Sequence, residues 1–137
     1  MIIEGIVETG KRLGRTIGFP TANILADGNG GFPGKGVYAG ALWLEGESAP
    51  WPCMVNLGIH PTAPEGKPTI EAYILNFSED IYGRRVRLEL SCFLREETRF
   101  EGLEKLRAQL ESDRLQTEIW AKKVYEQYGF QSMDPEG

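Results

Sequence analysis

Residues 10–23, GKRLGRTIGFPTAN, concentrate side chains that could bind an anion and a metal. The first nine hold three glycines and three cations: Gly10, Lys11, Arg12, Gly14, Arg15 and Gly18. Glycines let backbone N–H groups turn toward a ligand, and clustered cations favour an anion in a chain that is acidic overall. Thr21 and Asn23 then supply a hydroxyl and an amide oxygen, which are hard ligands for a metal that accompanies a phosphate. The stretch predicts a nucleotide-phosphate site.

This loop differs from the two best-known phosphate-binding patterns. A Walker A loop needs G-x-x-x-x-G-K-[ST] before a helix, and that spacing is missing here. Pro20 also argues against a helix that continues from the loop. The G-x-G-x-x-G fingerprint of dinucleotide sites is absent as well. By composition alone, a solvated basic turn between two strands is an equally good interpretation, so both remain open on the residues themselves.

A second candidate for chemistry is Glu71, in the strand-like segment 69–77. Alternation with a period of two places Ile70, Ala72 and Ile74 on one wholly apolar face, which we expect to be core. Glu71 falls on the other face, with Thr69, Tyr73 and Leu75. A carboxylate among hydroxyls suggests the wall of a polar pocket, and the alternative is an edge-strand glutamate that faces water.

These residues must be positioned by strands that recur at short spacing and by one helical segment. Strand-like stretches cover residues 2–8, 19–25, 36–44, 53–57, 69–77 and 86–94. We expect a hairpin turn within 78–85, which ends on a glycine, and strict inward alternation of Val86, Leu88, Leu90, Cys92 and Leu94 in the next strand.

After residue 100 the apolar period becomes helical. Two stripes define a helical segment over about 101–128: Leu103, Leu106 and Leu110, then Leu115, Ile119, Val124 and Tyr128. Ser112 and Asp113 are interpreted as a cap or a bend between the stripes, and Gly129 as the C-terminal cap. Residues 131–137 are expected to fray. The pattern predicts a mainly β, single-domain protein of residues 1–137, an antiparallel barrel over about 2–95 capped by a helix.

Composition limits the classes of function. The net charge of −5 argues against a broad nucleic-acid surface. No apolar run approaches the roughly 18 residues of a membrane span, and the N-terminus lacks a signal-peptide layout. Cys53 and Cys92 lack metal-ligand spacing and are expected to be buried, reduced thiols of a cytoplasmic protein. We expect a monomer with neither nucleic-acid nor membrane partners.

Six ordered blocks make the chain resemble a known family. GxVxxG followed by GR-x-x-GFPTAN, then GVYAG, MVNLG-x-x-PT, EAYILNF-x-x-D-x-YG and FLREE-x-RF, are similar to the riboflavin kinase (flavokinase) domain over about residues 2–128. The resemblance implies a six-stranded antiparallel Greek-key barrel with a C-terminal α-helix. It also implies transfer of the γ-phosphate of ATP to the ribityl 5′-hydroxyl of riboflavin, which gives FMN and ADP.

The resemblance also assigns roles to residues. It implies that Glu71 is the catalytic base, that Thr21 and Asn23 hold Mg²⁺ (or Zn²⁺ or Mn²⁺) and phosphate oxygens, and that Glu71 and Arg95 bind the substrate. ATP phosphates would be wrapped by a set that matches the first loop: Gly10, Lys11, Arg12, Gly14, Arg15, Thr21 and Asn23. Loops 10–18 and 58–68 would close over the ligands.

Two positions depart from the family's usual pattern. Asn76 stands where an acidic residue is common, and Gly102 where a serine or a similar helix cap is common; the second should only weaken the helix start. In many bacteria this domain follows a part that converts FMN to FAD, and too few residues precede Ile2 for that part, so we expect no FAD synthesis from this chain. The alternatives are an inactive flavin- or nucleotide-binding module and a barrel that binds nucleic acid.

Overall fold

The computed structural model describes residues 1–8, 18–28, 31–59 and 68–131. Their strands are β1 (Ile2–Glu8), β2 (Ala22–Ala26), β3 (Gly36–Leu44), β4 (Trp51–Ile59), β5 (Pro68–Ile74) and β6 (Arg85–Arg95). Two helices follow, α1 (Leu103–Lys123) and α2 (Tyr125–Tyr128). Within the described residues, no helix is long and apolar enough to span a membrane.

The six strands form one closed antiparallel barrel in the order β1-β2-β5-β4-β3-β6. Its interior is filled by alternate residues of every strand, as period-2 patterning requires. On β5 the predicted apolar face is confirmed, because Ile70, Ala72 and Ile74 are all buried in this core. Closure leaves none of the described strands with a free edge, and it places Glu71 on the outer face of the barrel.

The prediction of a hairpin at residues 78–85 is wrong. β5 pairs with β2 and β4, so both of its edges are occupied before β6 begins. The segment instead crosses to the opposite side of the barrel and bonds to β1: Gly83 donates its N–H to the Val7 carbonyl at 2.8 Å. Gly83 still serves as a turn residue, with φ of 83°.

Strict alternation also fails near the end of β6. Leu90 pairs with Gly40 and Cys92 with the adjacent Ala39, so Ser91 is an extra residue in the ladder. The bulge moves Cys92 to the outer face, where it is only half-buried, whereas Cys53 is buried as expected. A second register shift, between Val37 and Tyr38, lets Arg95 pair with Val37 on the outer face.

Helix α1 packs on the barrel through a face that differs from the predicted apolar stripe. Its buried residues are Asp113, Thr117 and Ala121, whereas Leu115 and Ile119 of the predicted stripe are 57% and 49% exposed. The small Thr117 and Ala121 side chains let the helix approach the barrel closely. Asp113 lies in the middle of a continuous helix, so neither the cap nor the bend expected there is present.

The ends of the helical segment are partly as predicted. Gly129 is the C-terminal cap of α2, with φ of 65°, and its N–H bonds to the Tyr125 carbonyl. Gly102 is the N-cap of α1 and provides no side-chain bond, as the missing serine implied. Gln131 is not frayed, because its N–H bonds to the Pro50 carbonyl at 2.8 Å. Residues 132–137 lie outside the described residues.

Candidate active site

Glu71 lies at the centre of a polar row across three strands. Strand pairing sets Asn23 of β2 directly opposite Glu71 on one side, and Asn56 of β4 directly opposite it on the other. Directly paired residues of antiparallel strands point to the same face of the sheet. The row continues from Asn56 to Val37 and then to Arg95. Residues distant in the sequence therefore share one patch on the outer face of the barrel.

This patch forms the floor of a cavity of about 320 Å³ between the barrel and helix α1. The loop that follows β6 and the first turns of α1 provide its other walls. The lining includes polar residues (Thr21, Asn56, Glu71, Arg95, Glu97, Thr98 and Asp113) and apolar or aromatic ones (Phe19, Val37, Met54, Tyr73, Phe100, Leu106 and Leu110). A concave site with apolar walls and a few polar groups is typical of a small-molecule pocket.

An aromatic contact positions the PTAN residues, 20–23, at the cavity. Phe19 is buried, and its ring lies 5.2 Å from the ring of Tyr73 on β5. This contact holds the segment before β2 against the outer face, so that Thr21 lines the cavity while Asn23 pairs with Glu71. A hydroxyl, an amide and a carboxylate are all oxygen donors, a set that fits Mg²⁺, which takes oxygen ligands and keeps several waters.

Arg95 is held at the cavity by Asp113. Its Nε donates to the two carboxylate oxygens at 2.9 and 3.1 Å, and its Nη2 donates to Oδ2 at 2.8 Å. Gln109 donates to the same carboxylate at 3.0 Å, which satisfies an aspartate that is 1% exposed. The Arg95 guanidinium also lies over the Phe100 ring. This bidentate pair fixes α1 against the end of β6 and shapes the wall of the cavity.

Several predicted site residues fall outside the described residues. They are the first-loop residues Gly10, Lys11, Arg12, Gly14 and Arg15, together with residues 60–67 of the second loop. The described site residues Thr21, Asn23, Glu71 and Arg95 all belong to one patch, either as cavity lining or as members of the polar row.

Sequence reasoning missed the roles of Asn56, Glu97 and Asp113. Asn56 could have been noticed, because it is a lone polar residue in the apolar run CMVNL. Asp113 gave no such signal, since a charged residue in the middle of a helix is ordinarily solvated. The two cavity leucines, Leu106 and Leu110, were assigned correctly to one helical stripe but without a function.

The fold and the cavity define a β-barrel domain with a small-molecule site between its outer face and a C-terminal helix. The family model "Flavokinase: Riboflavin kinase" matches residues 1–121. This chain belongs to the riboflavin kinase family. The predicted barrel and C-terminal helix are confirmed.

Individual relatives agree with this assignment. The chain is 41% identical over 113 residues to the bifunctional riboflavin kinase/FMN adenylyltransferase of Escherichia coli (strain K12), covering 82% of this chain and 36% of that protein. It is 39% identical over 113 residues to the RNA-binding riboflavin kinase RibR of Bacillus subtilis (strain 168), covering 82% and 47%. The crystal structure of riboflavin kinase from Trypanosoma brucei superposes with a TM-score of 0.61 at 23% identity, covering 93% of this chain and 85% of that one, which supports the fold.

The chain thus spans little more than a third of the length of the first of these relatives. One relative carries RNA binding in its name, and the expectation that this chain has no nucleic-acid partner stays a prediction.

Proposed function

We propose that this chain is a riboflavin kinase, which transfers the γ-phosphate of ATP to the 5′-hydroxyl of the ribityl chain and releases FMN and ADP. The family match supports the general reaction. The observation that carries the residue assignment is the row Asn23–Glu71–Asn56, with the carboxylate at its centre and the cavity above it.

In this mechanism Glu71 is the general base. Its carboxylate takes the proton of the 5′-hydroxyl, the hydroxyl oxygen forms a bond to the γ-phosphorus, and the bond from that phosphorus to the bridging oxygen breaks as ADP leaves. The neighbouring amides of Asn23 and Asn56 can orient the carboxylate or the hydroxyl by hydrogen bonds. Phosphoryl transfer depends more on positioned reactants and charge stabilisation than on covalent help from the protein.

Thr21 and Asn23 are the protein ligands we propose for phosphate oxygens and for the metal, which is Mg²⁺ with Zn²⁺ or Mn²⁺ as alternatives. When bound, the metal supplies charge neutralisation at the terminal phosphates of ATP. The first loop, with Lys11, Arg12 and Arg15, is proposed to hold the remaining phosphate charge through its cations and backbone N–H groups.

The apolar side of the cavity suits the flavin ring. Val37, Met54, Leu106 and Leu110 provide an apolar wall, and Phe100 provides an aromatic one. Arg95 is proposed to bind the substrate while Asp113 holds its guanidinium in place. We assign only the kinase reaction to this chain, so FMN and not FAD is the expected product.

The decisive experiment is chromatographic. The protein is incubated with riboflavin, ATP and Mg²⁺, and FMN and ADP are followed for wild type, Glu71→Gln and Thr21→Ala. Loss of a general base costs about 10²- to 10⁴-fold in rate. Glu79→Gln, the same change in the exposed segment that follows β5, is the matched control and should retain activity.

Each outcome separates the alternatives. FMN formed equally well by Glu71→Gln would refute the assignment of the base while the kinase assignment would stand. A folded wild type that binds riboflavin but forms no FMN would instead establish the inactive binding module.

A further inference from the structure

The cavity is lined by three carboxylates, and the proposed reaction uses only one of them. Glu71 is the proposed base, and Asp113 is bonded to Arg95 and Gln109. Glu97, in the loop that follows β6, has a different setting. Among the residues that the structure describes, none donates a hydrogen bond to its carboxylate or forms an ion pair with it. Its acceptor oxygens are available to a ligand.

Glu97 is exposed to solvent, and its carboxylate lies against the barrel beside Gly58. A Cβ atom added to Gly58 would lie 3.0 Å from Oε2 of Glu97 and 2.9 Å from Oγ1 of Thr69. Either separation is shorter than an ordinary van der Waals contact. The absence of a side chain at Gly58 therefore leaves the space in which the Glu97 carboxylate lies against β4.

This location is adjacent to the proposed base. Gly58 pairs with Thr69, and the next pair on the same face is Asn56 with Glu71. Neighbouring pairs on one face are two residues apart along each strand, which is about 7 Å. Glu97 and Glu71 thus line the same cavity, Glu97 beside the Gly58 position and Glu71 at the next pair along the strands.

We propose that Glu97 is a specificity-determining residue that accepts hydrogen bonds from the secondary hydroxyls of the ribityl chain. This inference rests on the proposed function, because it places the 5′-hydroxyl at Glu71 and the other hydroxyls toward Gly58. An ionised carboxylate only accepts hydrogen bonds, and those from hydroxyls are short and strong. Glu97 therefore selects flavins that carry a polyol chain over flavins that lack one.

The test compares two ligands that differ in the polyol. Riboflavin carries the ribityl chain, and lumiflavin carries a methyl group in its place. Dissociation constants for both are measured by quenching of flavin fluorescence for wild type, Glu97→Ala and Glu96→Ala, and KM for riboflavin and for ATP is measured beside them. Glu96→Ala is the matched control, because the Glu96 side chain is exposed like that of Glu97 but does not line the cavity; among the described residues only its backbone carbonyl is bonded, to Arg95 and Thr98.

We expect Glu97→Ala to weaken riboflavin binding and to raise its KM by about tenfold or more, the effect of losing a hydrogen bond to a charged group. Lumiflavin binding and KM for ATP should stay within twofold of wild type. Gly58→Ala, which pushes the carboxylate away without removing it, should weaken riboflavin binding in the same direction and leave lumiflavin binding unchanged.

Two results would overturn the inference. One is a Glu97→Ala variant that binds riboflavin as tightly as Glu96→Ala does. The other is an equal loss for lumiflavin, which would indicate a general disturbance of the cavity. Failure of the proposed function is distinguishable from failure of this inference. If the wild type makes no FMN, the dissociation constants of riboflavin and lumiflavin can still be compared between wild type and Glu97→Ala. Absence of flavin binding by wild type would refute both proposals.

Discussion

Replacement of Asp113 by asparagine should destabilise the fold far more than its position on a polar helix would suggest. The carboxylate is 1% exposed, and it accepts bonds from Nε and Nη2 of Arg95 and from Gln109. Asparagine has nearly the same volume but no charge. The substitution therefore leaves the Arg95 guanidinium without its counter-charge while it creates no cavity.

The magnitude follows from burial. Removal of one partner of a buried ion pair costs about 3–5 kcal/mol. The Arg95 side chain is 20% exposed, so water can solvate the unpaired guanidinium and offset part of the lost stability. We therefore expect the free energy of unfolding to fall by about 3 kcal/mol, at the low end of that range. For a chain of this size, that loss lowers Tm by about 10 °C.

The assay is thermal and urea denaturation followed by circular dichroism. Glu111→Gln is the matched control, because it removes one carboxylate charge from the same helix. Its ion pair with Arg107 has an N–O distance of 3.7 Å, and both side chains are more than half exposed. Such a pair contributes about 0.5 kcal/mol or less. The double variant Arg95→Met with Asp113→Leu should recover most of the stability, since no orphaned charge remains.

A loss for Asp113→Asn no larger than that for Glu111→Gln would refute the reasoning. It would mean that the ion pair does not hold α1 against the barrel in solution. A double variant less stable than Asp113→Asn alone would contradict the attribution of the loss to an uncompensated charge.

Two further predictions concern titration and reactivity. Burial, and after it the hydrogen bond to Glu89, raises the pKa of the Tyr128 hydroxyl. The neutral hydroxyl therefore stabilises the fold fully below the ordinary tyrosine pKa of about 10, and this stabilisation is lost as pH rises through the higher pKa of the folded protein. Urea denaturation between pH 8 and 11 should show a smaller decline in the free energy of unfolding for Tyr128→Phe than for wild type, and equal declines would contradict this. Burial also raises the pKa of the Cys53 thiol, whereas Cys92 is half-buried on the outer face. A thiol reagent should modify Cys92 in the native protein and Cys53 only after unfolding, so rapid labelling of a native Cys92→Ser variant would show this burial to be wrong.

Much of the barrel was predictable because strand patterning is a local property. The inward face of β5 follows from a period of two, and Gly129 follows from the need for a left-handed residue after a helix. The candidate site was predictable in part, through Thr21, Asn23 and Glu71, because their blocks resemble those of a family. The pairing of Asn23 with Glu71 was not predictable from their spacing, since β2 and β5 are far apart along the chain.

The remaining features depend on partners that a local pattern does not contain. A single extra residue in β6 moves Cys92 to the outer face, because the bulge shifts every later pairing by one. The buried face of α1 is chosen by the barrel surface, where Arg95 provides a counter-charge for Asp113 and small side chains allow close approach. Leu115 and Ile119 are not part of this buried face and stay exposed.

Local patterns along the chain therefore indicate which segments are strands, which segment is helical, and which family the six blocks resemble. Which residues come into contact depends on how the strands pair and where the helix packs. Barrel closure brought Asn23, Glu71 and Asn56 into one row, and docking of α1 added Asp113 and made a cavity above it. The physical reason is that hydrophobic periodicity is encoded residue by residue, whereas pairing register and helix docking are fixed by contacts between distant segments.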